Sequence, residues 1–177
     1  MNENLPSLLL PLEGRTLLLP SSAIAEIIPF EKPKPIPDIP RWLVGILTWR
    51  AIHIPLLYLE KMEPKVVWGE EENKQGETPD PKAHIAILNR ATKLQGEGQN
   101  LPSNRYPFFS IVLKNVPKLH RLNEGGVKLV SVIEDDPRYL MEVKIQEDYA
   151  YIPNLPELWK MIDALPSRLQ WFRQLVI

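Results

Sequence analysis

The stretch from Ile36 to Glu60, IPDIPRWLVGILTWRAIHIPLLYLE, decides how the rest of the chain is read. Trp42 to Trp49 and Ile52 to Leu59 are runs of β-branched, aromatic and leucine residues, separated only by Arg50-Ala51. Two such runs joined by two residues predict a β-hairpin. Before the hairpin comes EKPKPIPDIP, residues 31–40, which holds four prolines in ten residues. Proline fixes φ and favours extended, polyproline-like backbone, so this segment is expected to be a stiff, solvated surface connector.

Upstream of that segment, LLLPLEG and RTLLLP flank a Glu13-Gly14 turn signal and predict another hairpin. Ser21 or Ser22 is placed to cap a brief helix, and Ile24 to Phe30 follow as a strand. Downstream, Glu63 to Lys82 contains GEEENKQGETPDPK, too polar and acidic for a core, and is expected to be a solvated loop. His84 to Asn89 is a candidate strand, a polar insertion spans 92–105, and Tyr106 to Leu113 resumes β-like composition. Lys118 to Leu122 and Gly126 to Ile133 are further short strands. Tyr139 to Ile145 sets Leu140, Glu142 and Lys144 against Met141, Val143 and Ile145, the period of a half-buried strand. AYIP continues the β pattern. Asn154 then caps a helix with Leu155, Leu158, Met161, Ile162 and Leu165 on one side, and the tail 166–177 is read as a further amphipathic turn or two.

About ten short strands with few helices predict a mainly β chain of two small barrels or sandwiches that share a core. The expected organisation is one domain over 5–165, with polar insertions near 63–82 and 92–105.

Composition narrows the function. Lys and Arg total 21 against 22 acids and are spread along the chain, so no basic face for nucleic acid is expected. The chain has no cysteine, which removes thiol nucleophiles and thiolate metal sites and agrees with a reducing compartment. The N-terminal apolar run is broken by Pro11 and Glu13, unlike an export signal or a spanning helix, so membrane insertion is not expected and the cytoplasm is the expected location. His53, His84 and His120 stand apart, and no HExxH, GxSxG, GxxxxGK or GxGxxG occurs. The acid runs Glu70-Glu71-Glu72 and Glu134-Asp135-Asp136 are read as solvated loops, because adjacent acids point in different directions. No enzyme activity, cofactor or metal is expected.

The order of features from Leu8 to Glu60 resembles the CheW family of chemosensory coupling proteins. The residues that carry the likeness are Leu19-Pro20, Ile24-Ala25-Glu26-Ile27, Pro40, Gly45-Ile46-Leu47, Trp49-Arg50, Ile54-Pro55 and Leu59. The resemblance implies two five-stranded SH3-like barrels around a shared core, short helices and a C-terminal helix, and no catalytic centre. It also implies two partners, the regulatory domain of a CheA-type histidine kinase and the cytoplasmic tip of a chemoreceptor. Carried over by position, Ile24 and Glu26 fall on the family's apolar-x-Glu motif and Arg50 on its hairpin arginine, with Trp49 beside it. Four positions depart from the family pattern: Ala51 replaces a glycine, Thr48-Trp49 replaces Asn-Leu, and Tyr58 replaces an acid. With the two polar insertions, these departures resemble a divergent branch, such as accessory CheW-like proteins of systems that control type IV pili and twitching motility. A reading outside chemosensing makes the protein a β-rich adaptor whose proline segment 33–40 docks in an aromatic groove.

Overall fold

The computed structural model describes residues 4–62, 80–90 and 106–165. The two polar insertions and the C-terminal tail therefore lie almost wholly outside the described residues. Among the described residues eleven strands form two sheets: β1 Leu5–Pro11, β2 Thr16–Pro20, β3 Ile24–Pro29, β4 Leu43–Trp49, β5 Ile52–Leu57, β6 His84–Asn89, β7 Phe108–Leu113, β8 Lys118–Leu122, β9 Lys128–Val132, β10 Tyr139–Ile145 and β11 Asp148–Pro153. The described residues also hold the helix α1, Leu155–Asp163, and 3₁₀ turns at Ser21–Ala23 and Leu59–Lys61.

The first sheet runs β8-β1-β2-β11-β10-β9 and the second β3-β6-β7-β5-β4. The expected mainly β fold of two halves around a shared core is found, and on one side β8 pairs along β1 from Leu5↔Leu122 to Leu9↔Lys118 and brings that sheet from five strands to six. The leucine runs of β1 and β2 follow from this arrangement, because both faces of these strands are covered. Leu10, Leu17 and Leu19 enter the large core that also holds Ile46, Leu57, Phe109 and Tyr139, so residues of both sheets share it. Leu9 and Leu18 turn the other way, towards Val143, Ile145 and Ala150. The five-stranded sheet has its own cluster, built on Leu47, Trp49, Ile54, Leu56, Ile85, Ile87 and Val112.

The proline segment is not a free connector. Lys34 N–H donates to Ile46 O at 2.9 Å and Ile46 N–H to Lys34 O at 3.2 Å, so the segment straps the outer edge of β4. Ile36 and Ile39 are buried in the large core. Gly45 makes this approach possible: a Cβ there would lie 2.5 Å from the Lys34 carbonyl oxygen. The brief turn at Ser21–Ala23 forms, but no serine side chain caps it.

Asn154 accepts from Glu157 N–H at the start of α1, as expected of a cap. The helix buries Leu158, Trp159 and Ile162. It is fastened to the five-stranded sheet by Arg90, whose Nε donates to Tyr106 O at 2.9 Å. The guanidinium fork of Arg90 meets Asp163 at 3.2 and 2.7 Å. Trp159 lies face-on to that guanidinium, 3.8 Å from Cζ to the ring centroid.

Candidate functional site

Arg50 and Ala51 are the two loop residues of the β4–β5 hairpin, since Trp49 pairs with Ile52. Their φ values are 46° and 63°. Positive φ at both central residues is the type I′ geometry that suits the twist of a hairpin, and it holds here without glycine. Thr48 Oγ1 and His53 Nδ1 are 3.0 Å apart across the strands just below the turn.

The turn delivers Arg50 and Trp49 to Glu26 on β3. Glu26 Oε2 accepts from Trp49 Nε1 at 2.7 Å and faces Arg50 Nη2 at 3.1 Å. Arg50 Cζ sits 4.7 Å from the centroid of the Trp49 ring, and Phe108 supports that ring edge-on at 5.1 Å. The Arg50 side chain is 68% exposed, so its pair with Glu26 adds little to stability. What the arrangement does is aim. An indole and a carboxylate hold one side of the guanidinium, and the remaining N–H donors face solvent in the fixed fork that matches a carboxylate.

Of the four expected site residues, three converge and Ile24 does not. The register of β3 against β6 shifts between Ile24 and Glu26, with Ile24 opposite Leu88 and Glu26 opposite Ile87. The bulge at Ala25 breaks the two-residue alternation. Glu26 therefore shares a face with Trp49, while Ile24 packs against the large core.

A second polar cluster escaped the sequence reading. Asp136, expected in a solvated acid run, is joined by the Arg138 fork at 2.9 and 2.7 Å, and Arg15 Nη1 stands 3.5 Å away. Arg138 also donates to Leu59 O and Glu60 O at 3.2 and 2.7 Å, which ties the two sheets together. The Arg15 guanidinium lies over Tyr139 and Tyr151 at 4.6 and 4.7 Å. The hydrogen bond from Arg138 holds the Asp136 carboxyl below the usual range, and burial pushes the Tyr139 phenol up. Asp-Pro-Arg at 136–138 was the one sequence signal for this cluster. A cavity of about 370 Å³ opens beside it, past the end of β5 remote from Arg50, and Met62 and Ile133 help to line it. Among the described residues no group of three or more His, Asp or Glu could hold a metal ion, and no helix is long and apolar enough to cross a membrane.

Residues 6–96 match the model of the CheW-like domain family, over half of the chain. The chain belongs to the CheW-like domain family. Its fold is similar to that in the crystal structure of the scaffolding protein TtCheW from Thermoanaerobacter tengcongensis, with a TM-score of 0.61 and 14% identity. That superposition covers 86% of this chain and 85% of the other. No curated protein sequence matches the chain.

Proposed function

We propose that this CheW-like protein is a cytoplasmic, non-enzymatic adaptor that couples chemoreceptors to a CheA-type histidine kinase. The observation that carries the reading is the Glu26–Trp49–Arg50 cluster, an exposed arginine fork held in place at a hairpin tip in a chain of this family. In this reading Arg50 meets a carboxylate of the receptor tip or of the kinase regulatory domain, and Trp49 supplies the apolar floor beside it. The proposal extends to the chemosensory branch that controls type IV pili and twitching motility. Trp49 and Tyr58, large aromatics where the family pattern has a leucine and an acid, set this chain's receptor preference apart.

The test is a pull-down of the kinase regulatory domain and of a receptor-tip fragment with wild type and Arg50→Glu. Capture by wild type and loss in the variant support the coupler; capture of neither partner by wild type removes it. Deleting the gene and scoring twitching against swimming tests the branch, and intact twitching refutes that extension. The proline-segment adaptor is not favoured. Ile36 and Ile39 face the protein's own core and Lys34 is bonded to Ile46, so the segment is engaged within the molecule.

A further inference from the structure

The cavity beside Asp136, about 370 Å³, has the size of a small-molecule site. Two of the charged groups on its wall are already spent. Arg138 donates to both oxygens of Asp136 and to the Leu59 and Glu60 carbonyls. Three others, Arg15, Asp135 and Glu142, are not.

Arg15 is held by stacking, with Cζ 4.6 and 4.7 Å from the Tyr139 and Tyr151 ring centroids. Among the described residues its guanidinium makes no hydrogen bond. Its ion pair, 3.5 Å to Asp136 Oδ2, goes to an oxygen that already accepts from Arg138 at 2.7 Å. The fork is thus braced by two rings, 36% exposed, and without an acceptor of its own. The side chains of Asp135 and Glu142 have no hydrogen bond or ion pair among the described residues, with Arg15 or any other group. Register fixes the direction of Glu142. It stands opposite Tyr151 in the β10–β11 ladder, so the two share a face, and Tyr151 packs against the large core beneath Arg15. Arg15 and Glu142 therefore flank one tyrosine, while Met62 and Ile133 add an apolar wall.

A simple anion would gain Arg15 but meet Asp135 and Glu142. A simple cation would gain the acids but lie against Arg15. A molecule that carries both charges on an apolar body answers all three groups. We propose that this cavity binds an α-amino acid with an aliphatic side chain. Its carboxylate meets the Arg15 fork, its ammonium meets Glu142 in the field of Asp135, and its side chain lies on Met62 and Ile133. The site is separate from the Glu26–Trp49–Arg50 cluster and does not depend on the adaptor reading.

Titration of the isotope-labelled full chain with L-leucine, read by amide chemical shifts, tests the proposal. Saturable shifts around the cavity with Kd of about 1 mM or below are expected. N-acetyl-L-leucine lacks the ammonium and L-leucinamide lacks the carboxylate, and each should bind at least about tenfold more weakly. Arg15→Gln and Glu142→Gln should each weaken L-leucine by a similar factor, with the amide pattern of the five-stranded sheet showing that the variants are folded. No saturation by about 10 mM L-leucine overturns the proposal. Equal binding of all three ligands also overturns it, as does L-leucinamide binding as well as L-leucine, which would mark a site for cations alone. N-acetyl-L-leucine binding as well as L-leucine would mark a site for anions alone and overturns it equally.

Discussion

Ala51→Gly should stabilise the protein, an unusual direction for placing glycine in a strand-rich segment. Ala51 has φ of 63°, where its Cβ crowds the neighbouring carbonyl. For a residue with a side chain this conformation costs about 1–2 kcal/mol. Glycine removes that cost but gives up about 0.5–1 kcal/mol through its freer unfolded chain. The net expectation is a gain of about 0.5–1 kcal/mol, or a rise in Tm of about 1–4 °C for a chain of this size. Ala51 is exposed, and the bonds of the cluster run from Trp49 and Arg50 to Glu26, so the site geometry should be unchanged. Ala51→Val should move the other way by more than 1 kcal/mol, roughly the added cost of a β-branched residue at positive φ. Urea denaturation with matched m-values measures both variants. A glycine variant less stable than wild type, or a valine variant equal to it, would refute the type I′ turn and with it the support under Arg50.

The Arg90–Asp163 pair is nearly buried on the arginine side, at 5% exposure, and Arg90→Met should cost about 3–5 kcal/mol in urea denaturation by leaving Asp163 and the Tyr106 carbonyl without it. Gly45→Ala places a Cβ against the Lys34 carbonyl and should detach the strap, with a loss above about 2 kcal/mol and faster proteolysis within 31–40. Asp136 has a folded pKa below its ordinary 3.8, so its stabilising effect is present above pH 3.8 and fades as pH falls through the folded value. Denaturation midpoints near neutrality and near pH 2.5 should therefore differ more in wild type than in Asp136→Asn, and an equal difference counts against the Arg138 contact.

Strand-level features were legible where one residue pattern had one physical cause. The alternation of Tyr139 to Ile145 and the Asn154 cap each describe a local geometry, and both were found where expected. Features that depend on distant partners were not legible. Ile36 and Ile39 lie in a proline-rich stretch that composition reads as solvated, yet the gap left by Gly45 lets that stretch close on β4 and bury them. Trp159 was passed over on the helix because its environment is Arg90 and Phe109, both far away in sequence. The candidate site shows the same division. The hairpin was readable from its two apolar runs, and Glu26, Trp49 and Arg50 as candidates only through the family likeness, but the bulge at Ala25 that removes Ile24 from their face leaves no mark in composition.

Arg50, braced by Glu26 and Trp49, is proposed here as a binding residue. Calorimetric titration of wild type and Arg50→Glu with a CheA-type kinase regulatory domain and a receptor-tip fragment tests it most directly. Affinity for at least one partner should fall at least about tenfold. Tm should move by no more than about 4 °C, because the exposed Arg50–Glu26 pair contributes at most about 1 kcal/mol. Equal affinities of wild type and variant for both partners would contradict it.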